Sequence, residues 1–171
     1  KHRSLWLMLL MLSATVTGAL LGHYEKAMAA MPVLITFIPM LMGTGGNCGS
    51  QSSTLIIRGL AVGEIQFKDI FRVIFKEVRV ALAVSFLLAV VNGIRIYIMY
   101  DQDIMLSAAI GITMMAVVVI AKSVGCTLPL VAKKLGLDPA IMAAPLISTI
   151  LDTCTILVYF NIVTTIFHLR S

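Results

Sequence analysis

Apolar runs long enough to cross a lipid bilayer recur along this 171-residue chain, and that recurrence limits its fold more than any other feature. A spanning helix needs about 20 mostly apolar residues to cover roughly 30 Å of hydrocarbon. Five runs are predicted to span, at approximately 5–22, 31–57, 80–98, 104–132 and 140–167. With 60% hydrophobic and 12% charged residues, the chain has too few polar side chains to clothe a soluble globule. The expected fold is an all-α integral membrane protein with five transmembrane helices, whose main solvent is the lipid bilayer.

The first run follows Lys1, His2 and Arg3, as a signal peptide would, but no compact cleavage site closes it and further spans follow. It is therefore read as a retained helix. Opening on Lys1 rather than Met is expected of a piece of a longer protein. The net charge of +5 resides in loops between apolar runs, so it reports orientation and not nucleic-acid binding. Arg58, Lys68, Arg72, Lys76, Arg79, Lys133 and Lys134 mark two cytoplasmic segments. These charges, with Lys1 and Arg3, put the N-terminus in the cytoplasm and the C-terminus outside. An odd number of spans leaves no room for two inverted halves, so a homodimer would supply the symmetry, with a pore at its axis. Cys48, Cys126 and Cys154 stand alone in apolar stretches and are read as small packing residues.

Two ionisable residues fall clearly inside the expected spans, Lys122 in the fourth and Asp152 in the fifth. A charge at such depth costs a few kcal/mol or more and marks a partner, an ion or a hydrated cavity. From Asp138, an N-cap followed by Pro139, about 21 Å of helix leads to Asp152. Ser148, Asp152, Thr155 and Tyr159 share one helical face, and Thr44, Asn47, Gln51 and Thr54 share a face of the second span. These stripes are read either as a shared hydrated path or as hydrogen bonding between helices. Gly45 and Gly49 likewise mark either a packing seam or a loosened stretch of backbone. Lys122 either pairs with Asp152 or extends its ammonium toward the cytoplasm. Carboxylate, amide and hydroxyl oxygens suit a hard cation. Mg²⁺ sheds water reluctantly, so one or two carboxylates acting on a hydrated ion suffice. The same donors admit Mn²⁺, Co²⁺, Ni²⁺ or Ca²⁺, because selectivity depends on cavity radius and retained water.

Residues 39–63, running Pro-Met-Leu-Met-Gly-Thr-Gly-Gly-Asn-Cys-Gly-Ser-Gln-Ser-Ser-Thr into Leu-Ile-Ile-Arg-Gly-Leu-Ala-Val-Gly, resemble a hallmark of the MgtE family of magnesium channels. Leu128-Pro129, Leu135 through Ala140, Ala144-Pro145-Leu146 and Thr149 through Asp152 resemble its second hallmark. The resemblance covers the whole chain as the membrane domain. It implies a homodimeric, multi-pass protein of the cell inner (plasma) membrane, with its pore between the second and fifth helices. Asp152 corresponds to the pore aspartate that binds hydrated Mg²⁺, and Ser148 to the position whose backbone carbonyl faces that ion. Asn47 and Gln51 correspond to polar pore residues, with Thr44, Gly46, Thr54, Thr149 and Thr155 as further lining. Asp138 corresponds to an acidic position at the cytoplasmic end. Family members carry cytosolic N-terminal and CBS regulatory domains, which this chain lacks and which are expected upstream in a full-length protein. The implied activity is magnesium transport by a channel. An exchanger driven by Na⁺ or H⁺ is the alternative; an intramembrane enzyme is set aside, since one buried Asp lacks a partner acid or a Ser-His pair.

Overall fold

The computed structural model describes residues 2–101, 103–142 and 144–169, and within that range every regular element is helical. In chain order these are α1 (His2–His23), α2 (Glu25–Ala30), α3 (Val33–Ala61), a 3-10 turn (Phe67–Asp69), α4 (Ile70–Met99), α5 (Ile104–Lys134), α6 (Pro139–Met142) and α7 (Ala144–Phe167). Local chemistry sets several of the ends. Asp103 caps α5 by accepting from the Leu106 N–H at 3.0 Å, and Asp138 accepts from the Ala140 N–H at 2.9 Å ahead of α6. Gly136, at φ +72°, takes the left-handed turn that follows α5.

The expectation of five spans is not met. Four helical segments among the described residues are long and apolar enough to cross a membrane: Ser4–His23, Phe67–Met99, Ile104–Lys134 and Pro145–Phe167. The run expected at 31–57 folds as the 29-residue α3, which has the length but not the apolar character. Its first ten residues are almost all apolar; Gly43 to Thr54 then brings four glycines, an asparagine, a glutamine and five hydroxyl side chains. The placement of the two termini on opposite sides, and of a pore axis in a five-span protomer, rested on the odd count and falls with it. Lys1, one of the charges used for orientation, lies outside the described residues, as does Ala143 within the last expected span.

α5 is the centre of the bundle and packs against α3, α4 and α7, while α1 rests on α7 and is tied there by a 3.1 Å Thr17–Thr153 hydroxyl contact. Apolar residues of α1 and α4 such as Leu7, Met11, Phe86 and Ile98 point outward, as lipid-facing side chains do. Inside, Tyr24 stacks on Phe160 at 4.6 Å, and the buried Tyr159 hydroxyl donates to the Leu34 carbonyl at 2.7 Å. Tyr159, expected on the polar stripe of the last helix, is thus part of the core.

Of the two readings of the α3 glycines, the packing seam is the one observed. α3 runs unbroken through them, with Gly45 and Gly49 buried. A Cβ on Gly45 would lie 3.0 Å from Val117 of α5 and 3.2 Å from Thr155 of α7. One on Gly49 would run into Leu151 and stand 3.3 Å from the Ala121 carbonyl. Gly125 of α5 completes the crossing, because a Cβ there would collide with the Gly49 backbone carbonyl. Backbone-to-backbone contact of this kind is what small residues permit when helices associate without a hydrophobic driving force. It also sets the adjoining face of α3, with Gly46, Asn47 and Ser50, beside α7 at the edge of that seam.

Candidate functional site

That face borders a cleft of about 510 Å³ between α3 and α7. Pro39, Gly43, Gly46, Asn47 and Ser50 line it from α3, and Ser148 and Asp152 from α7, with Ile38 and Met42 beside them. Asp152 stands eight residues after Ala144, about 12 Å along the α7 axis. Gly46 leaves the opening clear, since even a Cβ there would lie 3.8 Å from the Ser148 hydroxyl. The cleft therefore presents one carboxylate, one amide and two hydroxyls on otherwise apolar helices.

The predicted site residues separate into those the fold gathers and those it does not. Asp152, Ser148, Asn47 and Gly46 meet in the cleft. Thr44, Thr54 and Thr149 turn their hydroxyls onto their own helices, donating at 2.8 Å to the carbonyls of Met40, Ser50 and Pro145. Thr155 is buried against Gly45 between α3, α5 and α7. Asp138 is exposed in the α5–α6 connection, away from the cleft. Ser50, which the sequence reading passed over, is a cleft residue; as the i+3 neighbour of Asn47, it shares that helical face.

Lys122 does not pair with Asp152. It is 4% exposed, and its ammonium lies 3.7 Å from the carboxylate of Glu77 on α4. It also donates to Ser52 at 3.3 Å and to the Gln51 side-chain carbonyl at 3.4 Å, while Ser52 donates to Glu77 at 2.8 Å. Glu77 was missed in the sequence because the third span was expected to start at 80; α4 begins at Ile70 and carries Glu77 into the bundle. With Lys122 engaged elsewhere, no side chain among the described residues bonds to the Asp152 carboxylate. No cluster of three or more His, Cys, Asp or Glu among them could cage a bare metal ion. A lone, half-buried carboxylate among neutral oxygens is suited to attracting a cation through that cation's own water shell.

Residues 38–162 match the family model of MgtE, described as a divalent cation transporter. The chain belongs to the MgtE family. It is 36% identical over 157 residues to the magnesium transporter MgtE of Thermus thermophilus, covering 92% of this chain and 34% of that protein. It is 32% identical over 163 residues to the MgtE of Bacillus subtilis, covering 95% and 36% respectively. A similar match, 32% over 160 residues, joins it to the MgtE of Enterococcus faecalis. The chain spans about a third of the length of these relatives. The matched stretch begins at the first cleft residue, Ile38, and extends past the last, Asp152. The matched family is one of transporters, and the four long apolar helices make this chain a multi-pass membrane protein.

Proposed function

We propose that this chain moves Mg²⁺ across the membrane as a hydrated ion that passes through the α3–α7 cleft, with Asp152 as the attracting charge. The observation that carries this reading is the unpartnered Asp152 carboxylate, which faces a cleft otherwise lined by Asn47, Ser50 and Ser148. Burying an ionised carboxylate is costly unless a counter-charge or water offsets it, and a divalent cation supplies the one while its retained waters satisfy the neutral oxygens. Amide and hydroxyl acceptors favour a hard cation over thiolate-seeking metals. Magnesium is also the ion named for each of the three relatives. The Ser148 backbone carbonyl belongs beside this ion, and Gln51 continues the path one helical turn beyond Asn47.

The cleft is open along one side of the protomer, where Pro39, Gly43 and Asn47 are exposed. A second copy of the chain covering that side would enclose the path, so a homodimer is the proposed working unit. Asp138, at the far end of α5, is a candidate for cation binding outside the path.

Purified chain in liposomes, given Mg²⁺ outside, an inside-negative potential and no other cation gradient, is expected to take up Mg²⁺. Uptake that appears only when Na⁺ or H⁺ is supplied on one side would replace the channel by an exchanger. No uptake under either condition would refute transport by this chain.

A further inference from the structure

We propose that Lys122 is a positioning residue for the ion path: with Glu77 as its counter-charge, it holds the side-chain carbonyl of Gln51 away from the passing cation. The inference rests on the reading that the ion crosses the α3–α7 cleft. The geometry is that of a fully subscribed ammonium. An –NH₃⁺ has three donors and no acceptor, and Lys122 has three acceptors within reach: Gln51 at 3.4 Å, Ser52 at 3.3 Å and Glu77 at 3.7 Å. The bond from Ser52 to Glu77 at 2.8 Å closes the cluster and ties α3, α4 and α5 together.

As a packing device alone this cluster is expensive. Two charges must be desolvated, and apolar side chains of similar volume would fill the space at equal or lower free energy. What an apolar pair cannot do is bind an amide oxygen. Gln51 is exposed and sits one helical turn from Asn47 on α3, next to the cleft residue Ser50, where the proposed path continues. The water shell of a cation turns its hydrogens outward, so it seeks acceptors. A free Gln51 carbonyl would be a second acceptor along the proposed path and would hold the ion longer. Conduction requires a site strong enough to admit an ion and weak enough to release it. By engaging that oxygen, Lys122 keeps the attraction concentrated at Asp152, and because Glu77 neutralises Lys122 the pair adds little net repulsion.

The test is Mg²⁺ uptake against concentration in proteoliposomes for K122M/E77Q, which removes both charges together and leaves neither buried alone. A freed amide acceptor, worth about one net hydrogen bond, is expected to lower half-saturating Mg²⁺ by about threefold or more, with a reduced maximal rate. Adding Gln51→Leu to K122M/E77Q should return half-saturation to the parental value. Parental half-saturation in K122M/E77Q would reduce the pair to a structural role and overturn the proposal. So would a shift that persists after Gln51→Leu. K122L/E77Q, which likewise leaves no donor at 122, serves in the same way should K122M/E77Q not fold. Failure of the underlying reading shows separately, as unchanged uptake in Asp152→Asn on an otherwise parental background.

Discussion

Mg²⁺ uptake by Asp152→Asn and Asp152→Ala in proteoliposomes is expected to fall at least about tenfold at subsaturating Mg²⁺. The magnitude follows from charge alone. A carboxylate about 5 Å from a divalent ion that keeps its inner waters is worth roughly 1.7 kcal/mol even at the dielectric constant of bulk water, and more in a cleft walled by apolar helices. Since about 1.4 kcal/mol is tenfold in occupancy, that lower limit already exceeds one order of magnitude. Folding should be untouched, because Asp152 has no hydrogen-bond or ion-pair partner among the described residues to lose. Thermal unfolding in detergent, run beside the flux assay, should therefore give the same midpoint for parent and variants. Asp152→Glu keeps the charge and is expected to retain part of the uptake. Full uptake in Asp152→Asn would show that the carboxylate is not on the ion's route.

Gly125 is the position where the smallest change should do the most damage to the fold. A Cβ there would collide with the Gly49 backbone, so an added methyl group has no flexible side chain to displace and must separate α3 from α5. Overpacking of this kind typically costs about 1–3 kcal/mol. Gly125→Ala should lower the unfolding midpoint accordingly, and Gly125→Val should yield little monodisperse protein. Gly93 of α4 is the control, because nothing lies within 4 Å of a Cβ placed there. Gly93→Ala is expected to be neutral or slightly stabilising through its higher helix propensity. Separating α3 from α5 also moves Asn47 relative to Asp152, so Gly125→Ala should lose transport more steeply than stability. Equal midpoints for Gly125→Ala and Gly93→Ala would mean that α3 and α5 do not meet backbone to backbone at Gly125.

Hydropathy alone made the helical, membrane-embedded class legible, because apolar runs of that length have few other uses. Charge depth made Asp152 legible, since an ionisable group inside such a run demands an explanation. The number of spans was misjudged at α3. A helix that turns one face to α5 and α7 and the other to a polar cleft has an average composition too polar for a spanning segment, although its first ten residues are strongly apolar. Helical periodicity put Ser148 on the face of Asp152, and both line the cleft, but it could not tell which threonines satisfy themselves. The hydroxyls of Thr44, Thr54 and Thr149 bond to carbonyls four residues back, a local choice that leaves no mark in the spacing. The partner of Lys122 was equally hidden, since Glu77 lies 45 positions away and belongs to a stretch that reads as a basic loop. Pairings of that range depend on how α4 packs on α5, which periodicity within one helix does not encode.

The most direct test of the cleft as an ion site measures thiol reactivity at Asn47→Cys, in a background where Cys48, Cys126 and Cys154 are replaced by alanine. The parent cysteines are free, and Asn47 is exposed at the cleft. A water-soluble thiol reagent should modify Asn47→Cys, Mg²⁺ should slow that modification, and the protection should disappear when Asp152→Asn is added. A rate that ignores Mg²⁺ with Asp152 in place, or protection that survives Asp152→Asn, would contradict a cation site built on this carboxylate.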